Sequence, residues 1–334
     1  MRAAVFKQVG FPLSIEEVPP PKRETEHDVI LKVLAAGLCH GDVHLVTGQW
    51  EGDIEIQTPR VLGHEIVGEL IHDTKSLKRG QKVLVYSSIG CGTCKYCKRG
   101  HFQHCERVRV IGYHLDGGFA EFVRVPDEKY LVPVEGDPLH LAPLADAGTT
   151  AVNSVKGIGD GDEVLVIGTG AVALYAVQIL KYRKASVTVV GSSMVKLEKA
   201  HELGADNVVL AKRRNYVNKV SENLGRKKFD YILDFVGADY SLQDSMWLLR
   251  NEGELRIVGE FGGTLHVPEQ LIVLRGLRVR GVLYGTLDDM REAYNLFSSG
   301  VLKTLPIPFR LEEINFAINE SYEGRLIGRA VIIP

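Results

Sequence analysis

Residues 164–183 constrain the fold more than any other stretch. Val164-Leu165-Val166-Ile167 is an apolar, β-branched run, Gly168-Thr169-Gly170 follows it, and Ala171–Arg183 has helix-forming character. A buried strand that turns on glycine into a helix is the opening of a βαβ unit. In such a unit the first glycine makes the turn, the second admits a pyrophosphate, and the helix N-terminus faces the phosphate charge. Gly168, Gly170, Ala171 and Val172 are therefore candidate dinucleotide contacts. A glycine pattern alone carries little weight, but the rhythm after it is regular. Strands are expected at Ser186–Val190, Asn207–Leu210, Tyr231–Leu233 and Leu255–Val258, with helices at Val195–Leu203 and Tyr216–Leu224. That alternation predicts a doubly wound parallel sheet over residues 149–284.

The preceding residues behave differently. Short β-type runs such as Val29–Val33, Val83–Tyr86 and Ala120–Val125 are separated by turn residues, and no long helical period occurs before Gly148. A mostly β domain is expected there, completed after residue 285 by helices Leu287–Ser299 and Glu312–Tyr322 and a last strand, Arg329–Ile333. At 334 residues the chain has room for two domains of roughly 150 residues. The apolar stretch Val164–Leu180 is interrupted by Thr169 and Gln178 and is slightly short for a membrane span, so it reads as strand plus packed helix. Forty basic against forty-two acidic residues give a net charge of −2, which argues against a nucleic-acid binder. Without a signal-peptide core, and with an odd number of cysteines, the chain reads as a reduced, cytoplasmic protein.

Four of the five cysteines fall in Cys91-x2-Cys94-x2-Cys97-x7-Cys105. Four thiolates at this spacing can close a tetrahedral cage around zinc in a lobe of about residues 88–107. An iron–sulfur cluster also favours two C-x2-C steps, but its fourth cysteine usually follows after three residues and precedes proline. Here the gap is seven and Glu106 follows. A nucleic-acid zinc ribbon would need more than Lys95, Lys98 and Arg99 on a neutral chain. The fifth cysteine lies in Cys39-His40-Gly41-Asp42, and Gly63-His64-Glu65 follows some twenty residues later. Thiolate and imidazole are preferred zinc ligands, and Asp42 could orient the His64 ring. A lone Cys or His in a β-rich domain is more often structural, so neither fragment decides alone.

Taken together, these segments resemble the zinc-dependent medium-chain alcohol dehydrogenases. The likeness runs through Gly37–Asp42, Val61–Gly68, the four-cysteine lobe, Gly117-Gly118-Phe119-Ala120-Glu121, the glycine fingerprint and Gly328-Arg329-Ala330-Val331. It implies an α/β plus β chain: a chaperonin-like β catalytic domain (1–148 and 285–334) with an inserted Rossmann domain, the active site in the cleft and a homo-oligomer, dimer or tetramer. It further implies two zinc ions per chain. Cys39, His64 and Asp146 would hold the catalytic one, with Glu65 able to approach it, and Cys91, Cys94, Cys97 and Cys105 the structural one. Asp146 stands where the family often has Cys, and a carboxylate oxygen is an acceptable donor. Thr150 would lie beside the nicotinamide, Val258 and Leu283 on strands would contact its carboxamide, and His40 and Arg329 would approach the pyrophosphate. Trp50–Ile56 and parts of Tyr113–Asp116 would line the cleft.

The implied reaction moves a hydride between NAD(P)(H) and an alcohol, ketone or aldehyde. The alternative is a non-catalytic NAD(P)-binding sensor or structural oligomer, which would have no use for Cys39, His64 and Asp146. A zinc-free reductase of activated alkenes is disfavoured by the same three residues. NADP(H) is expected over NAD(H), because Gly191-Ser192-Ser193 stands where NAD-specific relatives have an acid, with Lys212 and Arg213 as further candidates. Relatives carry Ser or Thr two residues after the ligand cysteine, in a proton path to a distal His that matches His44. Gly41 occupies that place, which predicts an altered path, free volume beside the metal, and a preference for secondary alcohols or bulky ketones.

Overall fold

The computed structural model describes residues 1–50, 55–211, 216–225 and 228–334. It divides into two units, one of Met1–Thr149, Tyr284–Asn295 and Thr304–Pro334, the other of Thr150–Leu283 and Leu296–Lys303.

In the first unit a three-stranded sheet sets Arg2–Phe6 between Ser14–Glu17 and Arg60–Val61. A larger sheet runs Leu131–Pro133, Lys82–Val85, Glu65–Leu70, Val29–Gly37, Arg329–Ile333, Pro306–Arg310, and Phe122–Val125 pairs with the start of Val29–Gly37. The pairings are antiparallel except the last, Pro306–Arg310 with Arg329–Ile333. Register is what builds the site. Gly37 lies opposite Glu65 on one side and Val331 on the other, so Cys39, His64, Glu65 and Arg329 arrive at the same end of the sheet. Gly37 has to be glycine, because a Cβ there would fall 1.9 Å from Glu65 Oε2.

The chain leaves that strand into an eight-residue helix, His40–Thr47, which the sequence did not announce. It is too short to display a full apolar period, and six of its residues are buried. Cys39 is the N-cap, with its N–H donating to Asp42 Oδ2 at 3.0 Å, and Gly48 ends the helix in the left-handed region at φ 81°.

The second unit carries the parallel sheet anticipated from the strand–helix alternation. Its order is Asn207–Leu210, Ser186–Gly191, Glu163–Ile167, Phe229–Asp234, Leu249–Ile257, Arg278–Gly281, all in parallel register. This is the strand order 3-2-1-4-5-6 of dinucleotide-binding sheets. Leu165, Ile167, Val190, Ile232, Phe229 and Leu255 form part of its core. Helices Asp239–Leu248 and Glu269–Arg275 were not foreseen, and the strand expected at Leu283 is Arg278–Gly281. Leu296–Lys303 was expected with the β-rich domain and instead clusters here: Gln178 accepts from Lys303 N at 2.8 Å and donates to its carbonyl at 3.1 Å. Gln178, the polar break in an apolar helix, is thus satisfied by backbone. Among the described residues no helix is long and apolar enough to cross a membrane.

Candidate metal and nucleotide sites

Cys39, His64, Glu65 and Asp146 each offer one ligand atom, all within 4.8 Å of one another. Asp146 comes from the turn that precedes the helix Ala147–Ser154, a segment tied down by Tyr284, whose hydroxyl donates to Ala145 O at 2.6 Å. His64 lies between two carboxylates: Nδ1 is 3.4 Å from Asp42 Oδ1, without a hydrogen bond, and Nε2 3.7 Å from Asp146 Oδ2. Asp42 thus faces the ring while its other oxygen holds the Cys39 backbone, the place a carboxylate behind a ligating His commonly takes.

Charge decides what the cluster can accept. Burial pushes the Cys39 thiol up to about 11, and the Asp146 carboxylate adds to that. Burial also raises the Glu65 carboxyl well above its ordinary range, against the opposing charge of Arg329. Burial alone would raise Asp146 as well, but the hydrogen bond and charge of His64, with Arg329, hold it below its ordinary range. Of the two oxygens of buried Glu65, Oε1 has its ion pair with Arg329 and Oε2 has no hydrogen bond. A dication bound here would favour the thiolate and satisfy a carboxylate oxygen. The donor types, S, N and O, suit zinc.

Arg329, which the resemblance brings to a pyrophosphate, lies here among carboxylates. Its side chain is buried, with Nη2 2.6 Å from Glu65 Oε1 and 3.3 Å from Asp146 Oδ2 and Nη1 donating to Leu38 O at 3.4 Å. The charge serves the buried carboxylates. His40 opens the short helix with its ring 6.0 Å from that of His44, and His44 is buried with Nδ1 against Gln49 Oε1. Burial lowers the His44 pKa.

The expectation of free volume at Gly41 also fails. A Cβ at Gly41 would fall 2.4 Å from the Tyr113 hydroxyl and 3.0 Å from the Trp50 ring. Two aromatic side chains from distant segments fill that space, which no local pattern could reveal. The argument for bulky substrates drawn from Gly41 falls with it. Residues 51–54 of the expected Trp50–Ile56 lining lie outside the described residues.

The four remaining cysteines also converge within 4.8 Å. Cys94 and Cys97 sulfurs are 3.5 Å apart and Cys91 and Cys97 4.0 Å. Tetrahedral sulfurs about 2.3 Å from zinc would be separated by about 3.8 Å, so the lobe fits the ion. Backbone N–H groups of Cys91 and Arg107 point at Cys105 Sγ, at 3.3 and 3.4 Å. The Thr93 hydroxyl lowers Cys91 to about 5, whereas burial pushes Cys97 up to about 12.

In the second unit Gly168 adopts φ 108°, the turn its position required, and its N–H donates to Val190 O at 2.9 Å. Gly170 caps the helix Ala171–Tyr182, and a Cβ there would meet nothing within 4 Å, leaving an open cradle before the N–H groups that begin with Ala171 and Val172. That suits a pyrophosphate. Ser192 is exposed and half-buried Ser193 caps Met194–Glu202, but Gly191 gives no free room: its Cβ would lie 2.8 Å from Thr169 Cγ2. Lys212 and Arg213 lie outside the described residues. Val258 and Leu283 are not on strands as expected. They follow Leu249–Ile257 and Arg278–Gly281; Val258 N makes the last ladder bond, to Asp234 O, and Gly259 N goes to the same oxygen. Carboxyl ends of strands are where such sheets bind ligands. Thr150 is buried in Ala147–Ser154.

Known proteins share this arrangement. Residues 25–136 match the alcohol dehydrogenase GroES-like domain family and residues 171–299 the zinc-binding dehydrogenase family. The D-arabinose 1-dehydrogenase (NADP(+)) of Saccharolobus solfataricus is 34% identical, over 100% of this chain and 97% of its own. The chain belongs to the zinc-dependent medium-chain alcohol dehydrogenase family. As a member it is an NAD(P)-dependent oxidoreductase with the chaperonin-like β domain and inserted Rossmann fold of that family. An NAD-dependent alcohol dehydrogenase of Sulfurisphaera tokodaii is 31% identical over the whole of both chains. The crystal structure of the alcohol dehydrogenase of Aeropyrum pernix superposes on this dehydrogenase with a TM-score of 0.93 at 34% identity, covering 100% of both.

Proposed function

We propose that this dehydrogenase interconverts an alcohol and its carbonyl compound at a catalytic zinc held by Cys39, His64 and Asp146, with Glu65 beside it. The observation that carries the proposal is the convergence of those four ligand atoms within 4.8 Å in a pocket that Arg329 only partly neutralises. When bound, zinc supplies Lewis-acid polarisation of the substrate oxygen and the nicotinamide supplies or accepts the hydride. The chain's own residues do the rest. Asp42 faces the His64 ring, Arg329 offsets two buried carboxylates, and burial of Asp42, His64, Glu65 and Arg329 keeps water from screening them. His44, its imidazole favoured neutral by burial, receives the alcohol proton at a ring nitrogen through a bridging water or side chain, since Gly41 offers no hydroxyl.

A second zinc in the Cys91, Cys94, Cys97 and Cys105 lobe stabilises the fold without reacting, since four thiolates leave no open position. NADP(H) is the preferred cofactor, supported by the two serines and the absence of an acid after Ser186–Gly191. His40, Thr150, Val258 and Leu283 are assigned to the cofactor. Five free thiols, four of them grouped for a metal, suit a reducing, cytoplasmic setting, and the working form is a homo-oligomer. The test is a panel of primary and secondary alcohols, aldoses, aldehydes and ketones, assayed with NADP(H) and NAD(H) before and after chelation. Zinc-dependent turnover with at least one pair is expected. A zinc-replete protein that turns over none of them would overturn the proposal.

A further inference from the structure

Gly41 sits in the first turn of His40–Thr47, where glycine weakens a helix and no positive φ calls for it. Its reason is a contact. The Tyr113 hydroxyl would lie 2.4 Å from any Cβ at this position. Tyr113 comes from a turn more than seventy residues later, and its ring stands edge-on to His64 with centroids 5.0 Å apart and edge-on to Trp50 at 6.3 Å. The residue is only 8% exposed, and its hydroxyl, which makes no hydrogen bond to a described residue, is not among the fully buried unpaired polar atoms, so it reaches accessible space. A hydroxyl left open in this way is available to a ligand oxygen. Here the helix gives up a side chain to make room for it, two residues from Cys39 and against the ring of His64.

We infer that the Tyr113 hydroxyl hydrogen-bonds the reacting oxygen of the substrate, orienting it beside Cys39, His64 and Asp146. The inference rests on the proposed metal site and goes beyond it by naming a substrate-contacting group on a separate segment. As a phenol it can donate to a carbonyl or alkoxide oxygen and accept from an alcohol, so one group serves both directions of the reaction. Trp50 and Tyr113 together also narrow the pocket on the Gly41 side, which favours substrates slender near the reacting carbon.

The test is Tyr113→Phe, which keeps the ring against His64 and removes only the hydroxyl, in the zinc-replete enzyme. Two quantities are read besides metal content and melting temperature: kcat/KM for the best substrate of the panel, and the inhibition constant of trifluoroethanol, an alcohol that binds without being readily oxidised. A loss of about 10- to 100-fold in kcat/KM and a parallel weakening of trifluoroethanol, with zinc content and melting temperature unchanged, is expected. Both values within two-fold of wild type would overturn the inference, as would losses that track lost zinc, which mark a structural role. A thermal cycle adds an independent check: Gly41→Ala should lower the melting temperature less in Tyr113→Phe than in wild type. Additive effects would mean that the hydroxyl does not occupy this space and would overturn the inference too. Wild-type enzyme inactive on the whole panel would instead sink the metal-site proposal, a distinguishable outcome.

Discussion

Arg329 Nη2 lies 2.6 Å from Glu65 Oε1, and both side chains are buried. The pair is held by two strands that flank Val29–Gly37, and the absence of a side chain at Gly37 gives the Glu65 carboxylate its place. Breaking a buried pair from one side strands the other charge, a larger penalty than replacing both partners. Arg329→Met should therefore destabilise the protein by about 3 kcal/mol, measured by denaturant unfolding. Arg329→Met combined with Glu65→Gln should recover much of that loss. Equal stability of wild type and the single variant would show that the pair contributes nothing.

The two thiolate-bearing sites should separate on substitution. Cys39→Ala should abolish turnover, leave one zinc per chain and barely change the melting temperature. Cys94→Ala should also leave one zinc but lower unfolding stability by several kcal/mol, because metal binding in such a lobe is folding free energy. Elemental analysis and calorimetry check both. One zinc per chain in undepleted wild type contradicts the scheme.

Cofactor choice should turn on Ser192, exposed just past the strand Ser186–Gly191. Ser192→Asp places a carboxylate where it repels a 2′-phosphate and can accept from ribose hydroxyls. The ratio of catalytic efficiencies, NADPH over NADH, should fall by roughly 10²-fold. A ratio unmoved by the substitution removes Ser192 from the nucleotide site.

Acid should expose a separate structural device. Asp28 is buried, and its carboxylate accepts from Glu24 N at 2.7 Å, Thr25 N at 3.2 Å and Arg124 Nη1 at 2.9 Å. Burial alone would raise its pKa, but these bonds hold it below the ordinary value. A carboxyl depressed in the folded state stabilises fully above its unfolded pKa, about 3.9, and loses that contribution as pH falls through the folded value. Asp28→Asn should cost about 1.5–3 kcal/mol at neutral pH, and the gap to wild type should narrow as the pH drops below about 4. A gap independent of pH would assign the cost to packing alone.

Much of this was legible locally. Gly168 needs its conformation because strand and helix are consecutive, and the four-cysteine lobe closes over fifteen residues, so spacing alone nearly specifies its geometry. The likeness of several ordered segments to one family supplied Cys39, His64, Glu65 and Asp146, which no periodicity could have united. The short helix His40–Thr47 escaped because eight mostly buried residues show no amphipathic period. Val258 and Leu283 were misplaced by one or two residues, since hydrophobicity continues past the point where ladder hydrogen bonds stop.

What the sequence by itself determined is the pair of domains, the chemistry of both candidate zinc sites and the nucleotide turn, all written in residue type and short spacing. Only the tertiary structure decided the use of Arg329 and of the space at Gly41. Strand register carries Arg329 inward to Glu65 and Asp146, and packing brings Tyr113 and Trp50 into the place of a missing side chain. Both outcomes depend on contacts between segments far apart in the chain. Sequence spacing does not encode such distances, because register and packing are settled by the whole sheet and core at once.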